Sequence, residues 1–272
     1  MYWVGLVALL TLAWGCPQSP RQCGERPLSE QVMALRLRGI EKARYPYVLD
    51  RPTSFDDAYP LTLFEGQART ITLKECVLGH RYGISISSKD LDGELNRIDS
   101  NTQAPSIWGA MKESLGQDRC LIRQVICRPL LVDRLLRAFF SKDRRIHAAP
   151  FAQAEAARER LLRGSPLVGE GAFSNVRLCV EVGDLLHPEF SGGEPLPLEN
   201  TSCDGIHGIV AQQALEAFQS GARVTPVLED SERFYVLEKR GSMTHVRING
   251  YTVSKLDYDE WVYSSGPLQW TG

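Results

Sequence analysis

Leu61-Thr-Leu-Phe-Glu-Gly-Gln-Ala-Arg-Thr-Ile-Thr-Leu-Lys74 is the stretch whose reading decides whether the first half of this chain carries a sheet. Thr70, Thr72 and Lys74 alternate with Ile71, Leu73 and Glu75, the period of two that a half-buried strand requires, and β-branched residues suit a pleated surface. Leu61–Phe64 and Ala68–Lys74 therefore read as two strands joined at Gly66-Gln67, and Arg81–Ser87 as a third. Before them Ser29 caps a helix from Glu30 to Arg44 that ends at Tyr45-Pro46. After them the acidic stretch Ser88–Gln103 reads as a long loop. Its Asp90, Asp92 and Glu94 lack the twelve-residue spacing and terminal bidentate Glu of a calcium loop, so they read as a solvated turn and no metal is expected.

Helices dominate the middle third: Pro105–Leu115, Pro129–Phe140 and Ala152–Leu162. In the second of these, Leu130, Leu131, Leu135, Ala138 and Phe139 are expected to face inward, and Arg128, Asp133, Arg134 and Arg137 outward. Gly164–Gly171 closes the helical block. Asn175–Val182 reads as a strand carrying Cys179, Leu186–Pro197 as a Pro/Gly loop, and Ile206–Phe218 as a helix. Three strands follow, Val224–Leu228, Arg233–Lys239 and Met243–Ile248, with Asn249-Gly250 as a hairpin turn returning through Tyr251–Lys255. Trp261, Tyr263 and Trp270 pin the tail. The fold class is α+β: an N-terminal helix and small antiparallel sheet, a helical middle, and a C-terminal helix plus antiparallel meander, stabilised by disulfides. Residues 1–15 form a signal peptide, 16–165 an N-terminal α+β region with basic helices, and 166–272 a C-terminal α+β region, the last two being separate or one integrated domain. No Gly-rich loop follows a strand, which argues against a dinucleotide cofactor.

The signal reading rests on Met1–Gly15, uncharged throughout and too short to span a hydrocarbon core of about 30 Å. Ala13 and Gly15 are small residues suited to cleavage before Cys16. Export follows, to a secreted or periplasmic location, with lipidation of Cys16 as the membrane-anchored variant. Seven cysteines are present, Cys16, Cys23, Cys76, Cys120, Cys127, Cys179 and Cys203. Lipidation of Cys16 leaves an even set, which in an exported chain reads as disulfides.

Thirty-one basic and 33 acidic residues give a formal charge of -2, which supplies no global attraction for nucleic acid. Charge is local instead. From Arg123 to Arg163 ten Lys or Arg stand against four Asp or Glu, a net of +6. Arg128, Arg134, Arg137, Arg144 and Arg145 are the candidate surface for an anionic envelope polymer, a lipid headgroup or an acidic protein partner. Poor aromatic interleaving speaks against single-stranded nucleic acid.

One constellation suggests catalysis. Cys203 follows Ser202 at the start of a predicted helix, where exposed N–H groups favour a thiolate, and His245 lies on a strand of the later hairpin with Asp257 or Asn249 as orienter. The order of loop, Cys at a helix start and strand-borne His, in Ser202-Cys203-Asp204-Gly205 and Thr244-His245-Val246-Arg247, resembles exported papain-like peptidoglycan peptidases. That resemblance implies a cysteine hydrolase cutting peptide or amide bonds. The alternative pairs Cys203 with Cys179 and leaves His245 an ordinary strand residue. Cys203 and His207, four apart, lack the two further ligands a metal needs. An exported protein that binds an anionic ligand or protein partner is the leading function, and the hydrolase is the alternative.

Overall fold

The computed structural model describes residues 27–48, 54–179, 205–240 and 247–265. The proposed signal 1–15, Cys16, Cys203, His245, the loop Leu186–Pro197 and Trp270 lie outside them. The chain divides into two compact units, Met1–Arg137 with Asp259–Gly272, and Ala138–Tyr258.

Unit 1 is helical, which corrects the expected N-terminal sheet. Helix α1 (Glu30–Arg44) starts at Ser29, whose hydroxyl accepts from the Val32 N–H as the sequence suggested. After a short helical turn, α2 (Phe55–Ala58), the whole of Leu61–Tyr82 is one helix, α3, capped by Gly83 at φ 68°. Phe64, Ala68 and Cys76 are buried and Thr72 half-buried, a stripe four residues apart on the face that α1 packs against. The two threonines that looked strand-like turn their hydroxyls onto the carbonyls four residues back, Thr70 onto Gly66 and Thr72 onto Ala68.

The expected loop Ser88–Gln103 is also a helix, α4 (Ser88–Asn101). It opens with a reciprocal cap in which the Ser87 hydroxyl accepts the Asp90 N–H and the Asp90 carboxylate accepts the Ser87 N–H. Leu91 and Leu95 are buried. Helix α5 (Pro105–Ser114) falls where it was expected.

Helix α6 (Arg119–Ile122) runs through a π turn, Arg123–Cys127, into α7 (Arg128–Lys142). Pro129 explains the wide turn: it has no N–H, and its ring would strike the carbonyl four residues back in a regular helix. The inward face of α7 is rotated from the expected one. Leu131, Val132 and Leu136 are buried, Leu130 and Phe139 are exposed, and Arg128 is inside.

Unit 2 sandwiches a five-stranded sheet, order β2-β1-β5-β4-β3, between two helices. Its elements are α8 (Ala148–Leu162), β1 (Ala172–Cys179), β2 (Gly205–His207), α9 (Gly208–Gln219), β3 (Leu228–Glu229), β4 (Arg233–Arg240) and β5 (Arg247–Ser254). The last helix, α10 (Tyr258–Ser264), begins at its end. Only β1 and β2 run parallel. Alternation along β4 sends Phe234 and Val236 toward Ala154 and Leu161 of α8, and Leu237 toward Val210, Ala214 and Phe218 of α9. Asn249-Gly250, expected as a hairpin turn, lies inside β5. Gly250 is needed there because a Cβ would come 2.7 Å from the Phe173 ring and 2.6 Å from the Val236 carbonyl.

The disulfide-stabilised expectation is corrected for pairs within the described residues. No disulfide joins two of the described cysteines to each other, while Cys76, Cys120 and Cys179 are each disulfide-bonded. Cys127 is a free, fully buried thiol whose pKa burial pushes up to about 12, which keeps it protonated and inert. No helix among the described residues is long and apolar enough to cross a membrane.

A buried His147 ties unit 2 together. Its Nε2 lies 2.9 Å from the Phe140 carbonyl and must donate, while Nδ1 accepts the Leu256 N–H at 3.3 Å. That pattern needs the neutral ring, and burial holds the pKa below the ordinary 6.5, with the Lys255 charge adding to the effect. The unfolded chain therefore takes up the proton first. Stability from this residue is complete above about pH 6.5 and falls as pH drops below that value, by up to about 1.4 kcal/mol per pH unit. Urea midpoints between pH 5 and 7 should show this slope, and His147→Gln should flatten it.

Candidate functional site

The fold forms a cleft of about 410 Å³ on the α9 side of the unit 2 sheet. Beyond the part of this face that α9 covers, β4 supplies Arg233 and Tyr235, β5 Thr252, β1 Phe173, Asn175 and Val176, and β2 Gly205 and Ile206. Pairing of Tyr235 with Thr252 and of Arg233 with Ser254 puts these β4 and β5 side chains on one face.

A bulge shapes the β1 wall. Phe173 pairs with Gly250 but Val176 with Ile248, so β1 holds one extra residue, and Asn175 takes a left-handed conformation at φ 59°. Its N–H donates to the Asn249 side-chain carbonyl at 3.2 Å, which stabilises the bulge, and its own side chain lines the cleft. Gly250 leaves room for the Phe173 ring across β5.

The polar groups differ in how far they are satisfied. The Tyr235 hydroxyl donates to Asp230 at 2.8 Å, and burial with that bond pushes its pKa up to about 12, so it remains a phenol at neutral pH. The other Asp230 oxygen accepts the N–H groups of Glu232 and Arg233. Thr252 Oγ1 is buried without a hydrogen-bond partner. No carboxylate pairs with the exposed Arg233 among the described residues. The described lining offers one positive charge, one buried hydroxyl without a partner, one exposed amide side chain and an apolar wall. It contains no carboxylate, thiol or imidazole.

Of the residues singled out from sequence, Cys203 and His245 lie outside the described residues, so the proposed nucleophile and base are not placed. Asn249 braces the bulge, and Asp257 is exposed. The five arginines of the proposed anionic surface each meet a carboxylate. In unit 1, Arg128 reaches Glu75 at 2.5 Å, Arg134 reaches Glu94 at 2.5 Å and Arg137 reaches Asp133 at 2.8 Å. In unit 2, Arg144 reaches Glu229 at 3.3 Å and Arg145 reaches Asp143 at 2.9 Å. The acids of α4 have partners of their own: Asp92 pairs with Arg119 and Arg123, and Glu94, buried, with Arg97 and Arg134. These guanidinium groups hold both carboxyls below the usual carboxylate range, the Arg119 bond leading for Asp92 and the Arg97 bond for Glu94. No group of three or more His, Cys, Asp or Glu suited to a metal occurs among the described residues.

Sequence reasoning missed the cleft. Alternation in Arg233–Lys239 places Arg233, Tyr235 and Leu237 on one face, but nothing local announces the bulge at Asn175 or the β1–β5 pairing that brings Thr252 beside it. No family model, no curated protein and no solved structure matches the chain.

Proposed function

We propose that the protein acts by binding, with the unit 2 cleft receiving a ligand that has an apolar body and one anionic group held by Arg233. The observation that carries this reading is a guanidinium without a carboxylate partner among the described residues, at the rim of a cleft of ligand size. Phe173, Val176 and Ile206 supply apolar contact, and Thr252 and Asn175 supply the few polar groups that orient a ligand. The described lining supplies an apolar wall, a guanidinium and a phenol that stays protonated, a set suited to holding a ligand.

The test uses 1-anilinonaphthalene-8-sulfonate, which joins an anion to an aromatic body. Saturable one-to-one fluorescence is expected, with amide shifts centred on β1, β4 and β5. Arg233→Glu should weaken it about tenfold or more, the loss of a charge-assisted hydrogen bond of about 1.5–3 kcal/mol. Binding that maps elsewhere, or that ignores Arg233→Glu, overturns the proposal.

A further inference from the structure

We infer that the cleft selects the free carboxyl end of a short extended peptide, with a large apolar side chain three residues before that end. This rests on the binding reading above and names its ligand. The lining groups are ordered by strand. Arg233 stands on β4, Thr252 on β5, Asn175 and Phe173 on β1, and Ile206 on β2. A ligand running from β4 to β2 crosses three inter-strand gaps of about 4.8 Å each, roughly 14 Å in all, which about four residues of extended chain span.

The chemistry along that path matches a peptide terminus. At the β4 end the planar fork of Arg233 suits a carboxylate, which it can hold through two parallel N–H donors. Thr252 pairs with Tyr235 and Arg233 with Ser254, so Arg233 and Thr252 are diagonal neighbours with Cα atoms about 7–8 Å apart. A carboxylate on Arg233 therefore leaves the adjoining amide within reach of Thr252 Oγ1, the buried hydroxyl that has no partner. Asn175, turned into the cleft by the bulge, offers a donor and an acceptor to the next peptide group. Phe173, Val176 and Ile206 then meet the larger side chain. A fatty carboxylate satisfies Arg233 equally but presents methylenes to Thr252 and Asn175, leaving both unsatisfied.

The experiment is calorimetric titration of the full chain with acetyl-Leu-Ala-Ala-Ala, as the free acid and as the C-terminal amide, with decanoate as the lipid control. The acid should bind at least about tenfold more tightly than the amide, and Arg233→Met should erase that difference. Thr252→Val should weaken both peptides about fivefold and leave their ratio unchanged. Equal affinity for acid and amide, or decanoate binding as tightly as the acid and indifferent to Thr252→Val, overturns the inference. If neither peptide binds while the naphthalene sulfonate still does so through Arg233, the carboxyl-end inference fails alone. If the sulfonate fails too, the binding reading falls with it.

Discussion

Lys255→Met is expected to destabilise unit 2 by about 3 kcal/mol, the lower part of the range for removing one member of a buried ion pair. The Lys255 side chain is 2 % exposed, and all three of its N–H donors are used: on Glu229 at 2.9 Å, on the Ser141 carbonyl at 2.5 Å and on the Asp230 carbonyl at 2.7 Å. The ammonium also sits 4.9 Å from the centre of the Phe234 ring. Methionine preserves most of the volume but strands two half-buried carbonyls and one carboxylate. Glu229 is 30 % exposed and keeps Arg144, which is why the upper part of the range does not apply. Amide exchange of β4 and β5 in urea reads the effect in unit 2. A loss below about 1 kcal/mol would mean that the network contributes little beyond an ordinary surface pair. Adding Glu229→Leu to Lys255→Met should recover part of the loss, because the unpaired carboxylate leaves with it.

Lys255 also illustrates what local sequence can convey. A lysine just past a strand gives no sign of burial; three elements distant in sequence create its site. Helix ends were more legible. Ser29 announced α1, and Ser87 with Asp90 is the same kind of signal for α4, obscured by the acidic, Asn-containing composition of the segment. In α3 the β-branched run Thr70-Ile-Thr72 suggested a strand, although Phe64, Ala68, Thr72 and Cys76 recur every four residues and that spacing governs the packing. Propensity lost to tertiary burial there. Asn249-Gly250 failed for a related reason: a favourable turn dipeptide is overridden when the glycine is required beneath an aromatic ring from another strand. The cleft depends on the bulge and on strand order, neither of which short-range patterning encodes.

The other large effect is expected from Arg128→Ala in unit 1, at about 3–5 kcal/mol. Outward-facing by its position in the sequence pattern, Arg128 starts the buried stripe Arg128, Val132, Leu136 instead, and its side chain is only 1 % exposed. The π turn rotates the helix entering α7 and brings Gln124 within reach, so Nε donates to Gln124 Oε1 at 2.9 Å while one terminal nitrogen meets Glu75 on α3 at 2.5 Å. Alanine removes this bridge between α3 and the π turn, opens a cavity, and leaves the Glu75 carboxylate, 22 % exposed, without that partner. Lysine should not restore stability, because a single ammonium cannot serve Gln124 and Glu75 in the fixed fork geometry that arginine provides. Methionine separates charge from volume: if Arg128→Met costs as much as Arg128→Ala, the lost pairing dominates, and if it costs much less, the cavity does. The emission of Trp108, buried in unit 1, offers a probe of unfolding there. A loss below about 1 kcal/mol for Arg128→Ala would show that solvent replaces the bridge easily, and the buried pair would then have no stabilising part in unit 1.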